Sequence, residues 1–176
     1  MSELEVTLRE CTPADAGALA VIGAATLLEA FAGFIPGHAL LGHCERYHHA
    51  AAYVDYMAKP ETRIWLAEVE PGAAPVGYAM VTAPDFPEGL ARPGDLELRR
   101  IYVFSRFHGG GTARRLMELA IATAREQKAG RLLLGVHPQN HRALAFYRKN
   151  GFVPIGVRTF QVGTAFFEDP VLALTL

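Results

Sequence analysis

The sequence predicts an α/β (α+β) fold built on a mixed, mostly antiparallel sheet. A β-rich stretch over 95–103, a glycine-rich turn, an amphipathic helix and a continuous apolar run over 132–136 follow one another. That order predicts a right-handed parallel crossover. Two hairpins, near 64–82 and 153–174, add antiparallel strands. Helical patterns precede the first hairpin, so helices are expected to flank the sheet.

Composition limits the class of protein. The chain has 176 residues, of which 51% are hydrophobic, which predicts one domain over 1–176. Because 17 basic residues nearly balance 18 acidic ones, no nucleic-acid partner is expected. The N-terminus lacks the basic and apolar regions of a signal peptide, and we expect a cytoplasmic protein without a membrane partner. Two cysteines are too few for a disulfide framework.

The N-terminal half begins with an alternating strand, in which Leu4, Val6 and Leu8 are the apolar members. Thr12-Pro13 then provides an N-cap and a proline at N1 for an apolar helix that extends to Phe31. A second helical region, about 39–57, is expected to break near His48.

The remaining elements follow from hydrophobic period and turn residues. The predicted strands are 64–69, 76–82, 95–103, 132–136, 153–160 and 166–174. Helices are predicted from Thr112, with Gly130 as the cap, and over 140–150, with Gly151 as the stop.

Four of the seven histidines lie close together, at His38, His43, His48 and His49. Intervals of five residues put neighbouring histidines on different helix faces, unlike the i, i+4 pair of a zinc helix. We therefore expect no metal site, and we interpret these residues as surface or cleft-lining side chains.

Three consecutive glycines, Gly109–Gly111, precede the helix at Thr112. Free N–H groups of a helix N-terminus attract anions, and Arg114 and Arg115 occupy a first turn where cations are otherwise unfavourable. The pattern favours a phosphate-binding turn. The Lys-Ser or Lys-Thr pair of a P-loop and the third glycine of a dinucleotide fingerprint are both missing, which argues against a nucleotide-binding module.

A second candidate feature is the helix after Pro138. Asn140, Ala143 and Tyr147 are spaced i, i+3 and i+7, so they share one face that could line a slender polar ligand. Taken alone, the same residues are better explained as an N-cap asparagine and a core tyrosine with a satisfied hydroxyl.

Both features resemble the signatures of the GNAT superfamily of N-acetyltransferases. The first signature is met by His108, Gly111 and Ala113, with Val103 five residues before it and Leu116-Met117 after it; histidine replaces the usual glutamine or arginine. A competing frame starts at Arg106. The second signature is met by the segment Asn140–Phe152, at the expected distance.

The resemblance implies acetyl-CoA as co-substrate, without a metal, and two central parallel strands that splay apart around the pantetheine. It implies that these residues contact acetyl-CoA: Ile101, Tyr102, Val103, His108, Gly109, Gly110, Gly111, Thr112, Ala113, Arg114 and Asn140. Glu97 matches the family's general base, although it could instead pair with Arg99. Tyr147 is expected to protonate the departing thiolate.

A narrower resemblance is to bacterial spermidine/spermine-type acetyltransferases. It rests on the segments Glu97–Val103, Ala145–Phe152 and Gly156–Gly163. A polyamine acceptor would need an acidic cleft, for which Asp85, Glu88, Asp95 and Glu97 are candidates. The sequence leaves open a peptide amine as acceptor, a non-catalytic acyl-CoA sensor, and a homodimer.

Overall fold

The sheet and its flanking helices occur in the predicted number and order. The computed structural model describes residues 4–176. Within them the strands are β1 (Val6–Glu10), β2 (Arg63–Val69), β3 (Ala74–Thr82), β4 (Leu96–Val103), β5 (Arg131–Gly135), β6 (Val153–Val162) and β7 (Ala165–Thr175). The α-helices are α1 (Ala16–Phe31), α2 (Gly37–Tyr47), α3 (Ala50–Met57), α4 (Thr112–Glu126) and α5 (His141–Lys149).

The seven strands form one sheet in the order β1-β2-β3-β4-β5-β7-β6. In the described part of the chain β4 and β5 are the one parallel pair, and the other neighbours are antiparallel. The parallel pairing comprises only Leu96 with Leu132 and Glu97 with Leu133. Beyond these residues β4 continues to Val103 without a β5 partner. The mixed, mostly antiparallel sheet with a splayed central pair is confirmed.

Two hydrophobic layers cover the sheet. The apolar stripe of α4, including Leu116 and Met117, packs on one face together with Leu98 of β4. Leu19 of α1 and Tyr53 of α3 pack on the opposite face. Helix α4 therefore covers one face of the sheet, and α1 and α3 cover the other.

Helix α4 ends earlier than the glycine pattern predicts. Its last residue is Glu126, and Lys128 rather than Gly130 adopts the left-handed backbone, with φ of 57°. The left-handed Lys128 lets Ala129 N donate to the Ala124 carbonyl oxygen at 2.9 Å, the hydrogen bond that closes a helix around a left-handed residue. The prediction that Gly130 caps this helix was wrong.

The helical stretch Pro13–Phe31 is long and apolar enough to span a membrane by length and composition alone. The core helix of a soluble protein passes the same test. Here Ala16, Leu19 and Ile22 are buried against the sheet. Packing against the sheet accounts for the apolar residues on this face of α1, whereas Val21 on the helix is 66% exposed.

Glycine at position 77 permits close approach of β3 and β4. A Cβ there would lie 2.6 Å from the Tyr102 carbonyl oxygen and 3.0 Å from Val103 Cα, both backbone atoms. We expect Gly77→Ala to lower the free energy of unfolding by about 1–3 kcal/mol, because a strand must shift. Urea unfolding measures the change.

Gly42 supplies the matched control, since it lies in mid-helix in α2 with open space around its Cβ direction. Gly42→Ala is expected to stabilise by about 0.5–1 kcal/mol. A Gly77→Ala variant that equals the parent protein in stability would contradict the proposed close approach.

Candidate active site

The divergence of β4 and β5 opens a cavity of about 640 Å³ between them. Phe104 N donates to Val76 O of β3, and alternate residues of an antiparallel strand face the same neighbour. Ile101 and Val103 therefore turn their backbone N–H and C=O groups away from β3, towards the gap. The open edge of β4 can hydrogen-bond a ligand as a strand would.

The glycine turn closes one end of this cavity. Gly109 and Gly111 have φ of 88° and 80°, a conformation that favours glycine. Gly111 is the N-cap of α4 and provides no side chain to occupy the first N–H groups of the helix. Those groups remain available to an anion.

The two arginines of the first α4 turn have different surroundings. Arg114 lines the cavity, and among residues 4–176 its one ion pair is a long, exposed one with Glu118 at 3.7 Å. Arg115 Nη1 instead donates to the Val6 carbonyl oxygen at 2.8 Å and ties α4 to the edge strand β1. The expectation that both arginines await an anion fits Arg114 alone.

Glu97, Tyr147 and every residue predicted to contact acetyl-CoA except Gly110 line this one cavity. Gly110 lies between Gly109 and Gly111, which both have a positive φ, but its own φ is not positive. The structure brings together two segments, 97–114 and 140–147, that sequence reasoning joined only through resemblance.

His108 folds back on β4. Its Nε2 lies 2.8 Å from the Val103 carbonyl oxygen, so Nε2 carries the proton and donates it. The ring therefore fixes the turn to the strand end. This contact occupies one of the outward-facing carbonyls at the gap.

Asn140 and Tyr147 take the positions that either interpretation of α5 predicts. Asn140 Oδ1 accepts from Ala143 N at 3.1 Å as the N-cap of the helix, and Asn140 also lines the cavity. Tyr147 is buried in the core layer, and its hydroxyl makes no hydrogen bond within residues 4–176. Burial raises the pKa of Tyr147, so the phenol stays protonated at neutral pH.

Glu97 is buried with an exposed fraction of 2%. Its Oε2 accepts from Asp85 N at 3.0 Å and from Arg99 at 2.7 and 3.2 Å. Its Oε1 lies 3.6 Å from Arg158 Nη1 and accepts no hydrogen bond from the described residues. The pairing with Arg99 occurs, and Oε1 is the oxygen with a lone pair still open to the cavity.

The four clustered histidines do not converge. His38 is exposed, and His49 accepts from Ala52 N as the N-cap of α3. His43 and His48 line the cavity, where burial lowers the pKa of His43 to about 4 and that of His48 to about 3. Between residues 4 and 176 no group of three metal-ligating side chains is present.

The charged residues of the cavity that sequence reasoning missed include Arg100, Arg158 and Asp169. The register of β3 and β4 shifts between Met80 and Val81, so β4 has an extra residue before Arg100. This bulge moves Arg100 onto the cavity face, which strict alternation from Glu97 would deny it.

Local signals existed for the other two. A Cβ on Gly135, the last residue of β5, would overlap the Arg158 guanidinium, and a glycine in a strand often marks such a close approach. Asp169 shares the inward face of β7 with Phe167 by period-two alternation. Burial raises the pKa of Asp169 to about 6.

Comparison with known proteins agrees with this geometry. A sequence profile described as the acetyltransferase (GNAT) family matches residues 28–152. An uncharacterized N-acetyltransferase of Mycobacterium tuberculosis is 32% identical over 162 residues, which cover 92% of this chain and 98% of that protein.

Solved structures share the fold. The PaiA N-acetyltransferase of Thermoplasma acidophilum in complex with coenzyme A has a TM-score of 0.77 at 14% identity, over 98% of this chain and 99% of that one. YncA of Salmonella typhimurium with its cofactor acetyl-CoA has a TM-score of 0.69 at 18% identity, over 98% and 94%. With its profile match and its mycobacterial relative, the chain belongs to the GNAT family of acetyltransferases.

Proposed function

We propose that the protein transfers the acetyl group of acetyl-CoA directly to a primary amine within a ternary complex. The observation that carries the proposal is the continuity of the cavity: the glycine turn, the open edge of β4, Glu97 and Tyr147 all line it. Family membership supports the same reaction. The structures from Thermoplasma acidophilum and Salmonella typhimurium contain coenzyme A and acetyl-CoA, respectively.

The residues present fit acetyl-CoA. The first N–H groups of α4 and the side chain of Arg114 suit the pyrophosphate. The outward-facing N–H and C=O groups of Ile101 suit an amide of pantetheine, which is a slender chain with alternating donors and acceptors. Asn140 faces the same space from α5, although its Oδ1 already accepts the cap hydrogen bond.

Glu97 and Tyr147 are proposed to move the two protons of the reaction. An alkylammonium with a pKa near 10 must lose a proton before its nitrogen can attack the thioester carbonyl carbon. Glu97 Oε1 accepts that proton, directly or through water. Attack forms the C–N bond and moves the carbonyl π pair onto oxygen. When that pair re-forms the C=O bond, the C–S bond breaks and its electron pair goes to sulfur. Tyr147 donates its proton to that sulfur and regains a proton from the amine nitrogen, which must lose a second one to become an amide. The N–H of Val103, which faces away from β3, is proposed to stabilise the oxyanion.

A polyamine is the acceptor that the narrower resemblance suggests, and one observation favours it. The Asp85 side chain is 85% exposed and lines the cavity, so it could meet a cationic chain at the entrance. The other acids give less support. Asp95 pairs with Arg131 at 2.6 Å and does not line the cavity, and neither does Glu88.

Two other functions share this cavity. A peptide N-terminus is also a primary amine, and an acyl-CoA sensor would use the same binding groups without turnover. Release of coenzyme A thiol across a panel of amines, polyamines and N-terminal peptides tests all of them together. Acetyl-CoA binding without thiol release for any acceptor would contradict the enzymatic function and favour the sensor.

Gly111→Val tests the binding half of the proposal. Acetyl-CoA at 100 times its Kd should stabilise the parent protein by about 2.7 kcal/mol. In the variant, a side chain at the mouth of the glycine turn obstructs the approach of the pyrophosphate. We expect most of this stabilisation to be lost, as measured by thermal shift with and without acetyl-CoA.

Gly72→Val is the control, because Gly72 also has a positive φ, of 76°, in open space, but lies in the β2–β3 turn. Both variants carry backbone strain, and only Gly111→Val is expected to lose the ligand-dependent shift. Equal shifts in the two variants would remove the glycine turn from the binding site.

Tyr147→Phe tests the acid. The ring keeps its packing and only the hydroxyl is lost, so kcat should fall about 100-fold or more while acetyl-CoA binding persists. Tyr78→Phe removes another buried phenol outside the cavity and should leave kcat near the parent value. An unchanged kcat in Tyr147→Phe would reduce Tyr147 to a packing residue.

A further inference from the structure

The cavity concentrates unpaired polar groups. Five buried side-chain atoms lack a hydrogen-bond partner in the described chain, and all five residues line this cavity. Buried polar atoms are normally paired, so these side chains are the hydrogen-bonding groups that the cavity offers to a ligand. The five atoms are His43 Nδ1, Arg100 Nη1, His137 Nε2, Arg158 Nε and Asp169 Oδ1.

Arg100 is the cation of this set without a counter-ion. Arg99 and Arg158 each lie within 4 Å of a carboxylate, whereas no described carboxylate comes that close to Arg100. Its guanidinium lies over the rings of Tyr53 and Tyr56, 5.4 Å from each centroid. Those rings hold the cation in place but do not neutralise it.

The position of Arg100 separates it from the phosphate end. The bulge in β4 turns it towards α3, on the face opposite to α4 and the glycine turn. An anion at Arg100 is therefore not expected to be the pyrophosphate. Of the two substrates of the proposed reaction, the acceptor is therefore the one expected at the Arg100 end of the cavity.

Asp169 is the complementary group. It is 4% exposed, its Oδ1 is unpaired among residues 4–176, and its Oδ2 reaches Arg158 Nε only at 3.9 Å. Arg158 also faces Glu97 Oε1 at 3.6 Å, so Asp169 and the proposed base border the same space. A carboxylate oxygen with an open lone pair beside the reaction centre suits the N–H groups of an amine.

We infer that the acceptor is an amine that also carries a carboxylate, of the amino acid class, with its carboxylate held by Arg100 and its amino group by Asp169. This inference rests on the proposed acetyl transfer and specifies its acceptor. Arg100 and Asp169 would then each gain a charged partner. A polyamine would leave Arg100 without a counter-ion and add positive charge beside it.

The test compares matched ligands on one protein. Free amino acids of increasing side-chain length, their carboxamides and spermidine are titrated calorimetrically into protein saturated with coenzyme A. The same compounds are then assayed with acetyl-CoA. We expect at least one amino acid to bind and react about tenfold or more better than its carboxamide, since a charge-assisted bidentate pair is lost in the amide.

Two variants assign the residues. Arg100→Met should remove the preference for the carboxylate while leaving weak binding of the carboxamide. Asp169→Asn should weaken amino acid and carboxamide alike, because both keep the amine. Arg125→Gln, an exposed arginine on α4, is the control and should keep the preference. The thermal shift with acetyl-CoA checks that each variant is folded.

The outcomes are separable from those of the proposed function. Turnover of carboxamides or spermidine as efficient as that of every amino acid would overturn the acceptor class and leave acetyl transfer intact. If Arg100→Met still prefers the amino acid over its carboxamide, the role of Arg100 is overturned. If Asp169→Asn binds both compounds as tightly as the parent protein does, the role of Asp169 is overturned. If no acceptor turns over, the calorimetric comparison still decides whether the cavity selects a carboxylate, and it needs no variant.

Discussion

The interruption of the β4–β5 ladder is the constraint on which the rest of the structure depends. Parallel strands elsewhere satisfy their backbone groups with each other, but here only two residue pairs do so. Past them, β4 has outward-facing N–H and C=O groups that require another partner. His108 supplies one from the glycine turn, through the Val103 carbonyl. A slender polar ligand completes the set, so the gap is both a defect of the sheet and the reason for the cavity.

Electrostatics divides the cavity into two ends. At the glycine turn, a helix N-terminus and Arg114 offer positive charge to an anionic ligand. At the other end, Glu97 is held by Arg99 and Arg158, while Arg100 has no such partner. A buried ion pair broken at one side is strongly unfavourable, so an unmatched guanidinium in this position has a cost of its own. In the proposed complex, the carboxylate of the acceptor relieves that cost.

The sequence predicted the elements and the glycine turn because both depend on local patterns. Periodicity located the strands, and Gly109 and Gly111 adopt the positive φ that justifies glycine. Residues that reach the cavity only through long-range strand pairing were harder to predict. Strict alternation from Glu97 would place Arg99 on the cavity face and Arg100 on the opposite face. The bulge that brings Arg100 to the cavity has no clear local signature, so the sequence did not reveal it. Arg158 and Asp169 come from strands whose register is set by long-range pairing. Arg115 was misinterpreted because its partner, the Val6 carbonyl, lies far away in the chain.

The bulge at Arg99 also sets the phase of β4. On its C-terminal side, even-numbered residues such as Arg100 and Tyr102 face the cavity side of the sheet; on its N-terminal side, Glu97 does. Deletion of one residue at this point would turn the side chains of the N-terminal half of β4 to the opposite face of the sheet. Glu97 would then lie under α4, and Leu98 would lie in the polar cavity. A substitution at the bulge is therefore expected to disturb the site less than a deletion or insertion would. The number of residues between Glu97 and Arg100 determines that both side chains face the cavity.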